Sequence, residues 1–565
     1  MERPGERRGS AVAVGSRLIA VDGAVEETSD APFEVPAGAR SEGDGRGPSS
    51  VDPFPAPWVR SAGWSLLGVQ LLAMLAFSTF QYSRFALSED FANYSQAWWS
   101  IGHGNLDPFI SGLGVPFWRD NAEFILYPLA LLSHVDPHPL TLLWLQDAAV
   151  VATELVTFRW ILSAVERSRG RVPRRWAAAV GLGAAVVLVA NPWAYETIAF
   201  DFHFEPFAAL FCVLVGYDLW AGRTRRLWLW VPLALACHVL AGTYLVGIGL
   251  SGMLAGRRTR VPGAVIAAVG LGWTLAFSAL GAAGVKGKNV AGAYGYLVGS
   301  HHGRIGLPTI AVGALGHLGA AVSVAASHAP VALLFLIPVG VVGVVSPWGF
   351  GMALAVLVPN VLDADGIFIR FGAAFQSWPA LVFVLVGSVM VLLRLIERGA
   401  GTGRPARRVA AVREARRFAA VWEARRFAAV WAASLGAVSV VVLATFPHYW
   451  LTVDAPAAKA LAHVDAVIPA GAEVIASVGV MGRFAQRDSV YGFTTGHQQF
   501  PVDRRLVVFV FTTQGGPDDV LRRHEGREAV DFVRNRLHGR VLGAGSGVSA
   551  FAWSAPPGTT RVSLP

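Results

Sequence analysis

Long apolar runs separated by short basic loops constrain the fold of this chain more than any other feature. The runs recur between about residues 61 and 446, and several approach the roughly 20 residues that a helix needs to cross a bilayer. Only 15% of the 565 residues are charged, whereas 54% are hydrophobic, which is too little charge to cover a soluble protein of this size. The sequence therefore predicts an all-α polytopic membrane domain.

The composition divides the chain into three regions. Residues 1–57 are rich in Gly, Pro, Glu, Ser and Arg, which predicts a disordered tail. Residues 58–446 are predicted to form the membrane domain, with about 10–13 transmembrane or re-entrant helices. Residues 447–565 have the composition of a soluble domain, and we expect a small α/β domain there.

The individual elements follow from local patterns. The predicted spans are 61–80, 139–163, 176–194, 207–222, 262–284, 329–345, 346–361, 375–395 and 428–446, with a short apolar piece at 124–133. The stretch 308–326 could cross the membrane, re-enter it or lie on its surface. In the soluble domain EVIASVGV, SVYGF and RRLVVFVF predict strands, PDDVLRRHEGREAVDFVRNRL predicts a helix, and RVLGAGSGVSAFAWS predicts a closing strand pair with its glycines at the turn.

Basic loops orient the predicted spans. The segments 166–175, 223–227 and 397–427 are rich in arginine, and such loops face the cytoplasm. The N-terminal tail is then cytoplasmic, whereas the first polar loop at 81–138 and the domain at 447–565 are extracytoplasmic. The stretch 228–254 lies between two basic loops, so we expect two limbs that turn between Cys237 and Thr243 rather than one straight helix.

Several function classes are disfavoured by the same patterns. The net charge of +9 comes from arginines in short loops, with no basic face that carries interleaved aromatic residues, which argues against nucleic-acid binding. No HExxH, paired CxxC, Walker or GxSxG pattern is present. The repeat EARRFAAVW at 414–422 and 423–431 predicts an amphipathic helix that runs into the last span.

Two polar clusters lie beside the predicted spans, where polar groups are costly unless they are used. The first is Ser-Glu-Asp-Phe at 88–91, followed by Tyr94, Ser95 and Gln96; the second is Asp201-Phe-His203-Phe-Glu205. An extended chain would place Asp201, His203 and Glu205 on one side, where they could bind a divalent cation or move a proton. A polar loop that returns into the interface is the alternative.

The stretches EDFANYSQAWW, YPLALLSHVDPHPLTLLWLQ and FDFHFEPFAALF resemble the membrane-protein family of domain of unknown function 2079. The resemblance extends over most of residues 80–550, and FDFHFEP is its most specific part. That family is similar to the GT-C class of glycosyltransferases. These enzymes take a hexose or pentose from a polyprenyl-phosphate carrier and transfer it on the extracytoplasmic side of the plasma membrane.

The resemblance implies roles for particular residues. GT-C enzymes have an acidic residue or pair close after the first span, where this chain has Glu89 and Asp90. It implies Asp90 as general base or metal ligand, with Glu89 assisting. The remaining implied residues are Asp201, His203, Glu205, Gln96, Arg119 and His238 as the lining of an outward cavity, with Arg119 pairing to the carrier phosphate, and Asp90, Asp201 and His203 as ligands of Mg²⁺ or Mn²⁺.

The chain departs from the family pattern at three places. Ser95 stands where relatives have a second Asp, and Asn121 stands where a His usually precedes the short apolar piece. His238, Val239 and Leu240 stand where relatives have a Lys-Glu-Asp cluster. Two other functions therefore stay open: a non-catalytic scaffold or partner protein of the cell envelope, and a transporter. The enzyme interpretation requires that the two polar clusters converge in one cavity.

Overall fold

The computed structural model of the chain describes residues 56–279, 286–298, 307–366, 374–400, 410–450, 453–494, 496–514 and 523–565. Residues 1–55 of the predicted disordered tail lie outside the described residues, as does part of the basic segment 397–427.

The described residues form twenty α-helices and nine strands. The helices are α1 (Pro57–Ser83), α2 (Glu89–Gly102), α3 (Trp118–Asn121), α4 (Leu126–Ala130), α5 (Leu140–Arg167), α6 (Arg174–Val189), α7 (Pro192–Ala199), α8 (Glu205–Ala221), α9 (Thr224–Cys237), α10 (Ala241–Ala255), α11 (Arg257–Ala279), α12 (Lys286–Val298), α13 (Leu307–Gly316), α14 (Leu318–Leu336), α15 (Pro347–Met352), α16 (Val358–Val361), α17 (Ala374–Ala400), α18 (Ala410–Trp450), α19 (Ala455–Val467) and α20 (Arg523–Asn535). The strands are β1 (Phe109–Ile110), β2 (Val115–Pro116), β3 (Glu473–Ser477), β4 (Val490–Phe493), β5 (Gln498–Pro501), β6 (Leu506–Thr512), β7 (Arg540–Gly545), β8 (Val548–Ser554) and β9 (Arg561–Leu564).

Seven segments within the described part of the chain are long and apolar enough to cross a membrane. They are Pro57–Ser83, Leu140–Arg167, Arg174–Ala199, Arg257–Phe277, Leu318–Leu336, Ala374–Arg398 and Trp422–Val442, with shorter apolar helices at Ala241–Ala255 and Pro347–Val361. The polytopic membrane architecture predicted from the sequence is therefore confirmed. The helix α18 is continuous, so the repeated segment does run into the last span as predicted.

The helical bundle has two chemically different ends. At one end Arg171 pairs with Glu397 at 3.4 Å, and Arg223 pairs with Asp218 at 3.4 Å. We call this the basic end. At the other end, which we call the site end, Phe375 near the start of α17 stacks on the imidazole ring of His203. The C-terminal domain contacts α2 at the site end, through the hydrogen bond from Gln96 to the carbonyl of Arg487.

The segment 228–254 forms the predicted hairpin. The helix α9 starts beside Arg223 at the basic end, and the chain then reaches the site end, where His238 Nε2 lies 3.5 Å from Glu205 Oε1. Gly252, near the end of α10, lies against Leu219 at the basic end of α8. The turn falls at His238–Leu240, where His238 adopts an extended conformation.

The span predicted at 329–345 is wrong. The long helix here is α14, which ends at Leu336, and residues Val341–Val345 form a short 3-10 helix instead. Gly340 between them has a φ of 83°, a left-handed conformation that interrupts a helix. The sequence shows no sign of this break, because the residues on both sides of Gly340 are apolar and hydrophobicity does not indicate backbone conformation. The ambiguous stretch 308–326 belongs to α13 and the first half of α14.

The C-terminal domain contains a five-stranded mixed sheet in the order β4-β3-β6-β8-β7. The strand β3 is parallel to β4 and β6, whereas β8 is antiparallel to β6 and β7. Four of the five strands fall within the predicted runs, and β6 extends one residue beyond its run, to Thr512. Gly545, Ser546 and Gly547 have positive φ angles, so the glycine cluster forms the predicted hairpin turn.

Candidate active site

Asp201 fixes the start of α2 from a distant part of the chain. Its carboxylate accepts hydrogen bonds from the Ser88 backbone N–H at 2.8 and 3.0 Å and from the Ser88 hydroxyl, and lies 3.5 Å from Phe91 N. Asp201 itself has a φ of 52° in the loop between α7 and α8. Burial raises the pKa of Asp201 to about 6, although the Ser88 hydrogen bonds oppose this shift. This carboxylate therefore caps the start of α2 from a distant position in the same chain.

His203 is clamped between aromatic rings and a glutamine. Its imidazole stacks on Phe375 with centroids 3.8 Å apart and on Phe200 at 5.5 Å. Its backbone N–H donates to Gln146 Oε1, while Gln146 Nε2 donates to the Asp201 carbonyl at 2.8 Å. The single amide of Gln146 thus holds both ends of the Asp201–His203 turn, and the imidazole has little freedom to rotate.

Asp90, in the first turn of α2, contacts this imidazole. Asp90 Oδ2 lies 3.3 Å from His203 Nε2, and the Asp90 side chain is 46% exposed while that of His203 is 7% exposed. Burial lowers the pKa of His203, but the Asp90 hydrogen bond and the charges of Asp90, Glu205 and Asp201 raise it more, so the net shift is upward. The two polar clusters predicted from the sequence do converge here.

Glu89 precedes Asp90 in the first turn of α2, where a negative charge is favoured by the helix dipole. Burial, together with the nearby charges of Asp90 and Asp120, raises the pKa of Glu89 to about 7. Its assisting role stays a prediction.

A second ionisable cluster lies deeper in the bundle. His238 Nε2 is 3.5 Å from Glu205 Oε1 and 3.6 Å from Glu123 Oε1, and the Tyr94 hydroxyl donates to Glu123 Oε1 at 2.7 Å. All four side chains are buried. The Tyr94 ring also lies edge-on to His203 with centroids 6.3 Å apart, so it separates the two clusters.

The predicted extended arrangement of residues 201–205 is wrong. Asp201 faces Ser88, His203 faces Asp90, and Glu205 faces His238. The alternation is lost because Asp201 is left-handed and Glu205 already begins α8. Asp201, His203 and Glu205 therefore do not share one side of the chain, and each contacts a different partner.

Gln96 docks the C-terminal domain and does not take part in the Asp90–His203 contact. Its Nε2 donates to the carbonyls of Arg487 at 3.1 Å and Asp488 at 2.8 Å, and to Ser111 Oγ at 3.0 Å. Arg119 is exposed and lies over the ring of Trp118 at 5.8 Å. Its pairing to a carrier phosphate stays a prediction.

The C-terminal domain packs tightly onto the start of α2. The Gly482 N–H donates to the Leu87 carbonyl at 3.1 Å, and a Cβ at Gly482 would lie 2.8 Å from the Phe91 ring, so a larger residue would not fit. Arg483 donates to the Tyr82 carbonyl at 2.8 Å and stacks over the Tyr82 ring at 4.0 Å. The domain therefore supports the helix that carries Asp90.

The predicted cation site does not fit this arrangement. Among the residues that the structure describes, no three His, Cys, Asp or Glu side chains are placed to hold one metal ion. The reason at this site is that the Asp201 carboxylate already accepts hydrogen bonds from Ser88. Asp90, Asp201 and His203 do not form a common ligand set.

Sequence reasoning missed three residues of the site. Glu123 and Gln146 are buried polar residues beside or inside apolar runs, and polar groups at such depth are functional candidates, so both could have been selected. The stacking partner Phe375 has no local signal, because phenylalanine is ordinary at the start of an apolar span.

The family described as "Predicted membrane protein (DUF2079)" matches residues 85–507, which is most of the chain. The chain belongs to this family. The matched residues include both polar clusters and the part of the C-terminal domain that packs on α2. No curated protein matches the chain.

The solved structures that resemble the chain include the crystal structure of ArnT from Cupriavidus metallidurans bound to undecaprenyl phosphate. The similarity covers 87% of this chain and 98% of that chain, at 13% sequence identity and a TM-score of 0.45. Similarity at this level carries no argument about activity, so a function for this family member must be argued from its own site.

Proposed function

We propose that the chain is a GT-C-type membrane glycosyltransferase that moves a sugar from a polyprenyl-phosphate carrier to a hydroxyl group of an envelope acceptor on the extracytoplasmic side. The observation that carries the proposal is the pair of Asp90 and His203. A half-exposed carboxylate is held at 3.3 Å by a nearly buried imidazole that is itself clamped. Such a pair can accept a proton from a substrate at the surface while the supporting group stays in place.

The transfer step can be written with these groups. Asp90 takes the proton of the acceptor hydroxyl while the hydroxyl oxygen forms a bond to the anomeric carbon of the sugar. The bond between that carbon and the carrier phosphate oxygen breaks, and polyprenyl phosphate leaves with the bonding electrons. His203 donates its Nε2 hydrogen to Asp90 Oδ2 and fixes the direction of the carboxylate. The proton then passes from Asp90 to water.

A groove beside the site end of α1 supports a lipid-linked substrate. A cavity of about 590 Å³ lies between α1 and α5 and is lined by Leu75, Ala76, Thr79, Phe80, Ser83 and Trp144. The lining is almost entirely apolar, and Ser83 is only five residues before Ser88. A polyprenyl chain gains about 0.8 kcal/mol for each CH₂ group that stays out of water. The groove therefore offers the carrier a path along the bilayer.

The proposal is tested with the full chain in lipid nanodiscs. The substrates are a panel of polyprenyl-phosphate hexoses and pentoses, with a bacterial envelope extract as acceptor, and the readout is released polyprenyl phosphate by mass spectrometry. We expect Asp90→Asn to lower release at least about 100-fold, because the shape is kept and the base is lost. Asp107→Asn, an exposed carboxylate of the same predicted outer loop, is the matched control. Equal release by Asp90→Asn and wild type would rule out the role of Asp90, and no release from any donor would reject the transferase.

A further inference from the structure

A second cavity lies at the basic end, at the opposite end of the bundle from the Asp90–His203 pair. Its volume is about 320 Å³, within the range of about 300–1,000 Å³ that ligand pockets occupy. The start of α11 contributes Arg257 and Arg258, and the end of α17 contributes Arg394. Trp220 and Trp348 form aromatic walls. Elements far apart in the sequence therefore build one basic pocket.

Within the residues that the structure describes, no carboxylate lines this pocket to neutralise its charges. The ion pairs of the basic end use Arg171 and Arg223 instead, and no acidic side chain in the described part of the chain pairs with the three cavity arginines. Arg167 does not line the cavity, but its guanidinium stacks over the lining residue Trp220 at 3.6 Å.

An anion would relieve this concentration of positive charge. Guanidinium groups present a planar fork that matches the oxygens of phosphate and binds them in pairs. Tryptophan walls beside basic groups are typical of the membrane interface, where lipid headgroups lie.

From this convergence we infer that the basic end carries a binding site for a phosphate-bearing anion, separate from the Asp90 site. The same chemistry is available from two sources. One is the headgroup of an anionic phospholipid of the adjacent leaflet, and the other is a soluble phosphate compound. The site does not depend on the proposed sugar transfer.

The test uses native mass spectrometry of the full chain in detergent, with phosphatidylglycerol, phosphatidylcholine and inorganic phosphate as separate probes. Removing two of the three arginines in Arg257→Gln/Arg394→Gln is expected to weaken binding at least about tenfold, since hydrogen bonds to charged groups are lost. The matched control is Arg225→Gln/Arg226→Gln, which removes the same charge from exposed positions at the start of α9, outside the cavity.

Each outcome has a defined meaning. Selective loss of phosphatidylglycerol binding supports the site and assigns it to lipid, whereas selective loss of inorganic phosphate binding supports it and assigns a soluble source. The inference would be overturned by equal weakening in the cavity and control variants. It would also be overturned if the wild type bound neither phosphatidylglycerol nor inorganic phosphate, or bound phosphatidylcholine as tightly as phosphatidylglycerol. Arg394→Lys keeps the charge but not the fork, so we expect a smaller loss, and it replaces the double variant should that variant aggregate.

Discussion

Removing the Asp201 carboxylate should loosen the first turn of α2 without touching the proposed base. Asp201 receives hydrogen bonds from the backbone and the hydroxyl of Ser88. Each hydrogen bond to a charged group contributes about 1.5–3 kcal/mol, so two give roughly 3–6 kcal/mol. Ser88 is only partly buried, and water will replace part of this in Asp201→Ala. We therefore expect a net loss of about 3 kcal/mol in the local opening free energy.

Hydrogen exchange of the full chain measures that opening. A loss of about 3 kcal/mol corresponds to roughly 100-fold faster exchange of the backbone amides at residues 88–91, at 1.4 kcal/mol for each factor of ten. Asp90→Asn should leave the same amides nearly unchanged, because the Asp90 side chain is half exposed. Asp107→Ala serves as control for a carboxylate lost from the same outer loop. Unchanged exchange in Asp201→Ala would refute the capping role and reopen Asp201 as a direct participant in the chemistry.

The remaining predictions concern the C-terminal domain and the topology. Arg483→Ala removes a hydrogen bond and a cation–π contact to Tyr82, so we expect limited proteolysis to release the C-terminal domain roughly tenfold faster than in wild type. Arg483→Lys should give an intermediate rate. Equal rates of release for wild type and Arg483→Ala would contradict the docking contact. Burial raises the pKa of Glu473 from its usual 4.5 to about 7, so the stability that this carboxyl contributes is present below pH 4.5 and is lost as the pH rises to about 7. Hydrogen exchange of the β3 amides, corrected for intrinsic rates, should accelerate over that pH window in wild type but not in Glu473→Gln. Parallel pH profiles for the two proteins would contradict this. Reporter fusions at residue 170 and at the C-terminus should report opposite sides, and the same side for both would refute the predicted orientation.

The sequence predicted those elements whose signal is local. The strands β3, β4, β6, β7 and β8 follow from short apolar runs bounded by turn residues, and the hairpin at His238 follows from the two basic loops that flank it. These patterns succeed because alternation and loop charge act within a few residues of the element they determine.

The site was only partly predictable because its geometry depends on distant contacts. The backbone of Asp201 is in the left-handed conformation, and its carboxylate caps a helix more than one hundred residues earlier in the chain. No local sequence pattern encodes that partner. His203 was selected correctly, but its clamp by Gln146 and Phe375 arises from packing of α5 and α17 around the loop. Residue type was sufficient to identify candidates, and tertiary structure decided which group each one faces.

A double-mutant cycle on Asp90 and His203 tests the central claim most directly. Release of polyprenyl phosphate is measured for wild type, Asp90→Asn, His203→Gln and the double variant under the nanodisc conditions described above. If the imidazole acts through the carboxylate, the double variant should release no more slowly than Asp90→Asn alone, because effects of groups that act as one unit are not additive. Losses that multiply, with the double variant slower than Asp90→Asn by the full His203→Gln factor, would contradict a single catalytic pair.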